Sequence, residues 1–406
     1  MRYLAADLEK TLANDRKMAF VVGPRQVGKT TLARSLLGKD PDRFPEAAYF
    51  NWDNEETRRR ILKKPDDFWR PEEGTPPPRI LLDEIHKYPR WKRFLKGFFD
   101  AHRRQLEVLV TGSGRLDVYQ RGGDSLFGRY HLYHLMPYSV GELVDQKRDL
   151  SPDACLKRVF EEPAPACGDA YQNLWRLNGF PEPLFGGDER TLQKWQNDHE
   201  QLILREDLRD LTQIREIGLI QSMIQLLPER IGSPLSINAL REDLGVNFKT
   251  VQNWIGALDK LYFLFALRPY AGRLARTLRR EEKVYFYDWS ILEDPSKRVE
   301  NFVAVHLLKS CLYWTDEGYG KFELHYVRDK DKREVDFLIT NKSRPFLLAE
   351  VKLAEKEIDR SLTYFQERLK PNYAFQIVGE TKPGFLSERG RNLWSISAGR
   401  FLGGLV

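Results

Sequence analysis

Cysteine is nearly missing: Cys155, Cys167 and Cys311 are the only three in 406 residues. Scattered and odd in number, they exclude a disulfide framework and a zinc cluster, and they suit a reducing compartment. Long apolar runs are missing too. No stretch approaches the roughly 18 consecutive apolar residues of a membrane span, so no membrane partner is expected. The first residues, Met1-Arg2-Tyr3-Leu4-Ala5-Ala6-Asp7, lack a signal-peptide core, and the expected location is cytoplasmic. There is no internal repeat and no long low-complexity tract. Nor does one sign of charge dominate. Lys and Arg number 65 against 59 Asp and Glu, a net charge of +6, which permits nucleic-acid contact without requiring it. What remains is 41% hydrophobic and 31% charged, an ordinary globular composition over a length suited to roughly two to four domains.

Against that plain background one segment stands out. Gly23-Pro24-Arg25-Gln26-Val27-Gly28-Lys29-Thr30 is a complete G-x-x-x-x-G-K-[ST] phosphate-binding loop. A strand-like run, Met18 to Val22, precedes it, and a helix-like run from Thr31 to Leu37 follows. A chance glycine turn would lack that setting. The glycines let the backbone wrap phosphates, and the helix N-terminus adds a positive dipole end. Lys29 would reach the β- and γ-phosphates of ATP, and the Thr30 hydroxyl would ligate Mg²⁺.

Arg79-Ile80-Leu81-Leu82-Asp83-Glu84 reads as a buried strand with two carboxylates at its C-terminal end, where open parallel sheets bind ligands. Asp83 would hold Mg²⁺ through its water shell, and Glu84 would polarise the attacking water. The competing reading is a helix cap. A further strand, Leu106 to Thr111, ends in Thr111-Gly112-Ser113-Gly114. Thr111 or Ser113 would contact the γ-phosphate or the attacking water, and the sequence does not choose between them.

The alternation of strand-like and helix-like segments over residues 1–145 predicts a parallel α/β sheet. Residues 146–215 read as a helical linker or lid, with Asn178-Gly179-Phe180-Pro181-Glu182-Pro183 as a turn. Residues 216–275 read as helix, turn, helix and strand, the order of a winged helix-turn-helix. Ser236 is the expected cap of its first helix. Its second helix, Asn247 to Leu261, buries Val251, Trp254, Ile255, Leu258 and Leu261 at helical spacing and exposes Asn247, Lys249, Thr250 and Asn253. A basic run follows: Arg268, Arg273, Arg276, Arg279, Arg280 and Lys283. These residues would meet DNA phosphates. The alternative is a winged helix packed on protein, its charges solvated.

Residues 276–406 form a last α/β segment. Glu300 is expected to start an amphipathic helix, Asn301 to Leu312. Asp336 lies on one strand, and Glu350 and Lys352 lie two apart on the next, so both point to one face. Burying Glu and Lys on a core strand is costly unless they pair or serve a site. Asp336 and Glu350 would ligate Mg²⁺, Lys352 would orient water, and Glu300 would be an extra ligand of a nuclease centre. A buried salt bridge in a fold that no longer cuts is the alternative.

Taken together, these segments resemble the prokaryotic AAA-type ATPases that carry a C-terminal domain called DUF4143, over nearly the whole chain. The shared text is Gly23 to Thr31, Leu82-Asp83-Glu84-Ile85-His86-Lys87, Thr111-Gly112-Ser113, Gly128-Arg129, Asn178 to Glu182, Val284 to Asp288, Glu300-Asn301, Glu334 to Phe337 and Glu350-Val351-Lys352. Pro137-Tyr138-Ser139 departs from the usual Pro-Leu-Ser. The resemblance implies an AAA-type P-loop domain, then a winged helix, then a domain of PD-(D/E)xK nuclease type. It also implies a homo-oligomer, a hexameric ring among the options, in which an arginine reaches the neighbour's γ-phosphate. Arg129 is the first candidate for that role and Arg115 the second. The leading functional reading is a Mg²⁺-dependent ATPase that remodels or translocates on DNA, branched DNA among the options, in recombination or repair. An ATP-dependent switch for protein partners and an ATP-gated nuclease are the rivals.

Overall fold

The computed structural model describes residues 2–38, 48–71, 78–112, 126–145, 148–208, 216–270 and 281–406. Where the sequence suggests four segments, the chain forms two compact units, Met1–Met136 and Pro137–Val406.

In the first unit, α1 (Ala5–Lys10) runs on as a widened π-type turn, Thr11–Asp15, and stops at Arg16, whose φ is 51°. Next come β1 (Met18–Val22), α2 (Lys29–Ser35), β2 (Tyr49–Asn51), α3 (Glu55–Lys63), β3 (Arg79–Asp83), α4 (Trp91–His102), β4 (Glu107–Thr111) and β5 (Tyr130–His134). The strands make one parallel sheet in the order β2-β3-β4-β1-β5. Every residue of β1 is buried, as are Ile80–Asp83 and Val108–Thr111. Such unbroken apolar runs suit strands covered on both faces. Phe20, Phe50, Phe68, Trp91 and Phe98 build much of the core. Register aligns Asn51, Asp83, Thr111 and Val21 in one row across the C-terminal ends of four strands. The phosphate loop leaves β1 one residue beyond that row.

The second unit opens with α5 (Val140–Val144), α6 (Pro152–Phe160), α7 (Ala166–Leu177), α8 (Pro181–Gly186) and α9 (Glu189–Leu202). Cys155, Leu156 and Val159 of α6 are buried, and Arg400 donates to Val159 O and Phe160 O at 3.0 and 2.9 Å. The expected linker is thus core structure, because its apolar positions have a packing partner in the C-terminal helix. After α10 (Ile217–Leu226) come α11 (Ile237–Leu244) and α12 (Phe248–Lys260). Ser236 caps α11, Gly245 ends it at φ 66°, and the Asn247 side chain caps α12. That is the local chemistry of a tight helix–turn–helix.

The remaining elements are β6 (Leu264–Pro269), β7 (Lys283–Phe286), α13 (Pro295–Asp316), β8 (Phe322–Arg328), β9 (Glu334–Asn341), β10 (Arg344–Ala354), α14 (Arg360–Leu369), β11 (Tyr373–Glu380), β12 (Leu386–Gly390), β13 (Leu393–Ser397) and α15 (Ala398–Gly404). One mixed eight-stranded sheet runs β12-β13-β11-β10-β9-β8-β6-β7. Its β6 and β7 strands follow the helix–turn–helix directly, so residues 216–275 and 276–406 share a sheet rather than standing as separate domains. The α13 helix also differs from expectation. It begins at Pro295, capped by Asp294, and buries Val299, Phe302, Val303, Val305, His306, Lys309 and Trp314. A helix buried over most of its length from Val299 onward has no amphipathic stripe to mark its start.

His306 carries a testable consequence. Val140 N donates to its Nε2 at 3.2 Å, and its Nδ1 lies 2.9 Å from Phe302 O. That pairing requires the neutral ring with the proton on Nδ1. Burial lowers its pKa from 6.5 to about 3. Between those values the unfolded chain binds a proton that the folded chain refuses, so stability falls as pH drops. Between pH 7 and pH 5 wild type should lose about 2 kcal/mol more than His306→Gln, read as urea midpoints. Equal losses would refute this.

Candidate functional site

At the end of β1 the chain must turn sharply while approaching other backbone. Gly23 has φ 145°, and a Cβ there would lie 2.1 Å from Leu135 O, so only glycine fits. Gln26 and Gly28 also take positive φ, 58° and 95°. Pro24 and Val27 are buried, Arg25 is half-buried, and Gln26 and Thr31 are exposed. The Arg2 guanidinium, not anticipated from the sequence, donates to Val27 O and Met136 O and pins the loop from behind. Lys29 folds back on its own loop, with Nζ donating to Gly23 O at 2.9 Å and Pro24 O at 2.6 Å.

Asp83 is the hub. Its Oδ2 accepts from the Thr30 hydroxyl at 3.0 Å and the Tyr49 hydroxyl at 3.0 Å. Its Oδ1 accepts from the Thr111 hydroxyl at 2.5 Å. Thr111 therefore steadies Asp83, a different contact from the phosphate or water expected of it. Distance along the chain hides this, because the two residues are 28 apart and meet only where β3 and β4 pair. Tyr49, 34 residues before Asp83 on neighbouring β2, was missed for the same reason. Burial and then Asp83 push its phenol well up, and it stays a donor.

Glu84 sits at φ 56°, rare for a non-glycine residue. Its N–H donates to Thr111 O at 3.0 Å, which fixes the side chain's origin. Its Oε2 is buried without a hydrogen-bond partner among the described residues. His86 Nε2 and Lys87 Nζ stand 3.6 Å away. Burial raises its pKa, opposed by Lys87. A carboxylate with a raised proton affinity and an oxygen that no donor occupies suits a general base.

These residues fit a magnesium nucleotide. A threonine hydroxyl beside a carboxylate is a hard-oxygen pair of the kind Mg²⁺ takes, and a backbone-tight glycine loop adjoins it.

Arg129 lies elsewhere. It directly precedes β5, beside the start of β1, with Met18 N donating to Arg129 O at 2.9 Å. A five-residue strand spans roughly 16 Å, so this is the sheet end opposite its own phosphate loop. Its guanidinium grips Asp100 at 2.7 and 2.9 Å. Ser113, Arg115, Arg273, Arg276, Arg279 and Arg280 lie outside the described residues.

On α12, Lys249 and Asn253 are exposed and Thr250 is half-buried, its hydroxyl engaged by Asn247 at 3.0 Å. Arg268 is exposed and paired with Glu282 at 2.9 Å. Lys283, expected to meet phosphate, is fully buried.

The C-terminal acids come together, but not around a common metal point. Among the described residues no group of three His, Cys, Asp or Glu is arranged to hold a metal ion. Lys283 Nζ stands 2.7 Å from Glu334, 3.4 Å from Asp336 and 3.6 Å from Glu300. Glu300 also accepts from Tyr285 OH at 2.7 Å. Lys352 pairs with Glu350 at 2.6 Å and Asp359 at 3.0 Å. Asp336 accepts from Val351 N at 3.0 Å. Burial, then the Asp336 charge, pushes the carboxyls of Glu300 and Glu350 up. Lys283 and Glu334 were missed as members. The available signal was a lysine opening an otherwise apolar strand.

Known proteins give these parts names. Residues 15–144 match the family model described as AAA domain, residues 168–296 match DUF8612, and residues 296–398 match DUF4143, the last two described as domains of unknown function. Uncharacterized proteins of Mycobacterium bovis and Mycobacterium tuberculosis are each 23% identical over 370 residues, covering 89% of this chain and 76% of theirs. Among solved structures, Aeropyrum pernix ORC1 in complex with DNA has a TM-score of 0.34 at 16% identity, over 74% of this chain and 90% of that one. PCH-2 of C. elegans has a TM-score of 0.23 at 12% identity, over 64% and 66%. Scores this low make neither structure a guide to this one. No helix among the described residues is long and apolar enough to cross a membrane.

Proposed function

For a chain that joins an AAA domain to a DUF4143 domain, we propose a Mg²⁺-dependent ATPase that binds and remodels DNA as a homo-oligomer. The observation that carries the ATPase reading is the convergence of Thr30, Tyr49 and Thr111 on Asp83 at the mouth of the phosphate loop. Lys29 would leave Gly23 O and Pro24 O for phosphate oxygens, neutralising charge as the β–γ bridge breaks. Bound Mg²⁺ would neutralise phosphate charge beside Thr30 and Asp83. Tyr49 and Thr111 would hold the Asp83 carboxylate in place. Glu84 would orient the attacking water and take its proton. Arg129 cannot serve its own loop, so its role would be in trans, in a head-to-tail assembly that closes into a ring.

The DNA part rests on the exposed N-terminal turns of α12, with Lys249 and Asn253 at the surface. The test is steady-state ATP hydrolysis by wild type and Lys29→Ala, alone and with single-stranded, duplex and four-way-junction DNA at two salt concentrations. Lys29→Ala should lose hydrolysis by at least about 10²-fold. One DNA form should stimulate wild type, less so at high salt. Hydrolysis indifferent to all three forms would overturn the DNA part and leave the ATPase reading standing.

One observation favours a protein partner instead. Beside α12 lies a cavity of ≈ 700 Å³ lined by Ile237, Phe248 and Ile255, by the acidic Asp259, Glu281 and Glu282, and by Arg268, which pairs with Glu282. Phe248 is 46% exposed. Acids repel phosphate and an exposed phenylalanine invites protein, so DNA-indifferent hydrolysis would move the reading to an ATP-dependent switch.

A further inference from the structure

Lys283 sits at the start of β7 with a side chain 0% exposed. Around its ammonium stand Glu334, Asp336 and Glu300, contributed by β9 and α13. These include two of the acids that the sequence marks as metal ligands. We infer that Lys283 is the resident cation of this centre: its ammonium already pairs with Glu334, Asp336 and Glu300, so these acids are neutralised from within and the centre does not cut nucleic acid.

The distances support that role. The three Nζ–O separations of 2.7, 3.4 and 3.6 Å are those of hydrogen bonds and ion pairs. Divalent ions of the Mg²⁺ class need oxygens at about 2.1 Å. Closing the acids to that spacing would press the ion against the ammonium. Lys283 itself cannot move aside cheaply, since an unpaired buried ammonium is strongly penalised. Its fourth side faces the Tyr326 ring, 5.5 Å from the ring centre. The second half of the centre is closed in the same manner, with Lys352 held between Glu350 and Asp359. Lysine thus meets carboxylate throughout, and the lysine of β7 enters from a strand that no local Glu-x-Lys pattern includes.

This goes beyond the ATPase reading and does not depend on it. The test is Mn²⁺ binding without nucleotide, followed by the electron paramagnetic resonance signal of free Mn²⁺, on the full chain. Wild type and Asp336→Asn should bind alike. Lys283→Met combined with Glu334→Gln removes the ammonium and one negative charge together. That variant should gain a Mn²⁺ site at least about tenfold tighter than anything in wild type, and adding Asp336→Asn should abolish the gain. Wild-type Mn²⁺ binding lost in Asp336→Asn would overturn the inference, and so would a folded double variant that gains nothing. The comparison of wild type with Asp336→Asn decides the matter even where the double variant does not fold. Failure here leaves the Lys29→Ala result untouched, so the two readings fall separately.

Discussion

Replacing Glu84 by glutamine is expected to leave ATP bound and to stop its hydrolysis. Glutamine keeps the size of the side chain and an oxygen to orient water, but it cannot take a proton. The backbone is already fixed at φ 56° by the bond from Glu84 N to Thr111 O, so the substitution adds no new strain. The turnover number should fall by about 10² to 10⁴, the usual reach of a general base. Affinity for ATP should stay within roughly twofold, because none of the phosphate-facing groups changes. Lys29→Ala should differ by losing affinity as well. Fluorescent-nucleotide binding and phosphate release on the same preparations separate the cases. A Glu84→Gln protein that hydrolyses ATP at the wild-type rate would remove Glu84 from the chemistry. Because burial raises the Glu84 pKa, the acid limb of the wild-type rate profile should lie above the ordinary glutamate range, and Glu84→Gln should lack that limb.

The largest expected effect on stability lies in the second unit. Lys309 on α13 is buried, and its ammonium donates to Glu142 at 2.6 Å, Ser139 Oγ at 2.9 Å and Pro137 O at 3.1 Å. Glu142 is 2% exposed. Glu142→Ala removes the buried carboxylate that Lys309 meets at 2.6 Å, and breaking a buried pair from one side costs about 3 to 5 kcal/mol. Glu142→Leu with Lys309→Met removes both charges and should recover most of that loss. Urea denaturation of the three proteins reads the difference. A Glu142→Ala loss below about 1 kcal/mol would mean the pair is hydrated like a surface ion pair.

What the sequence conveyed follows from how local each signal is. The strand, loop and helix around Lys29 are contiguous, and so are the apolar run and carboxylates of β3. The helix–turn–helix announces itself through Ser236, Gly245 and Asn247, whose side chains or backbone act within a few residues. Thr111 and Tyr49 meet Asp83 only because of strand order, which no short window contains. Lys283 belongs by sequence to a basic run and by position to an acid cluster, and burial decides which environment it has. The start of α13 was hidden because most of the helix from Val299 onward is buried and shows no periodic polar face. The strands after α12 read as a wing of their own, since pairing of β6 with β8 joins residues 268 and 269 to 325 and 326.

That pairing has a mechanical consequence. Between β7 and β12 every neighbouring strand is laced by backbone hydrogen bonds, and the helix–turn–helix is spliced to this plate at β6 with three residues between α12 and the strand. The β6–β8 link is the narrowest seam in that plate, since it pairs only residues 268 and 269 with 325 and 326. Under the proposed reading, a load taken up by α12 would therefore concentrate at that two-residue seam rather than spread evenly across the sheet.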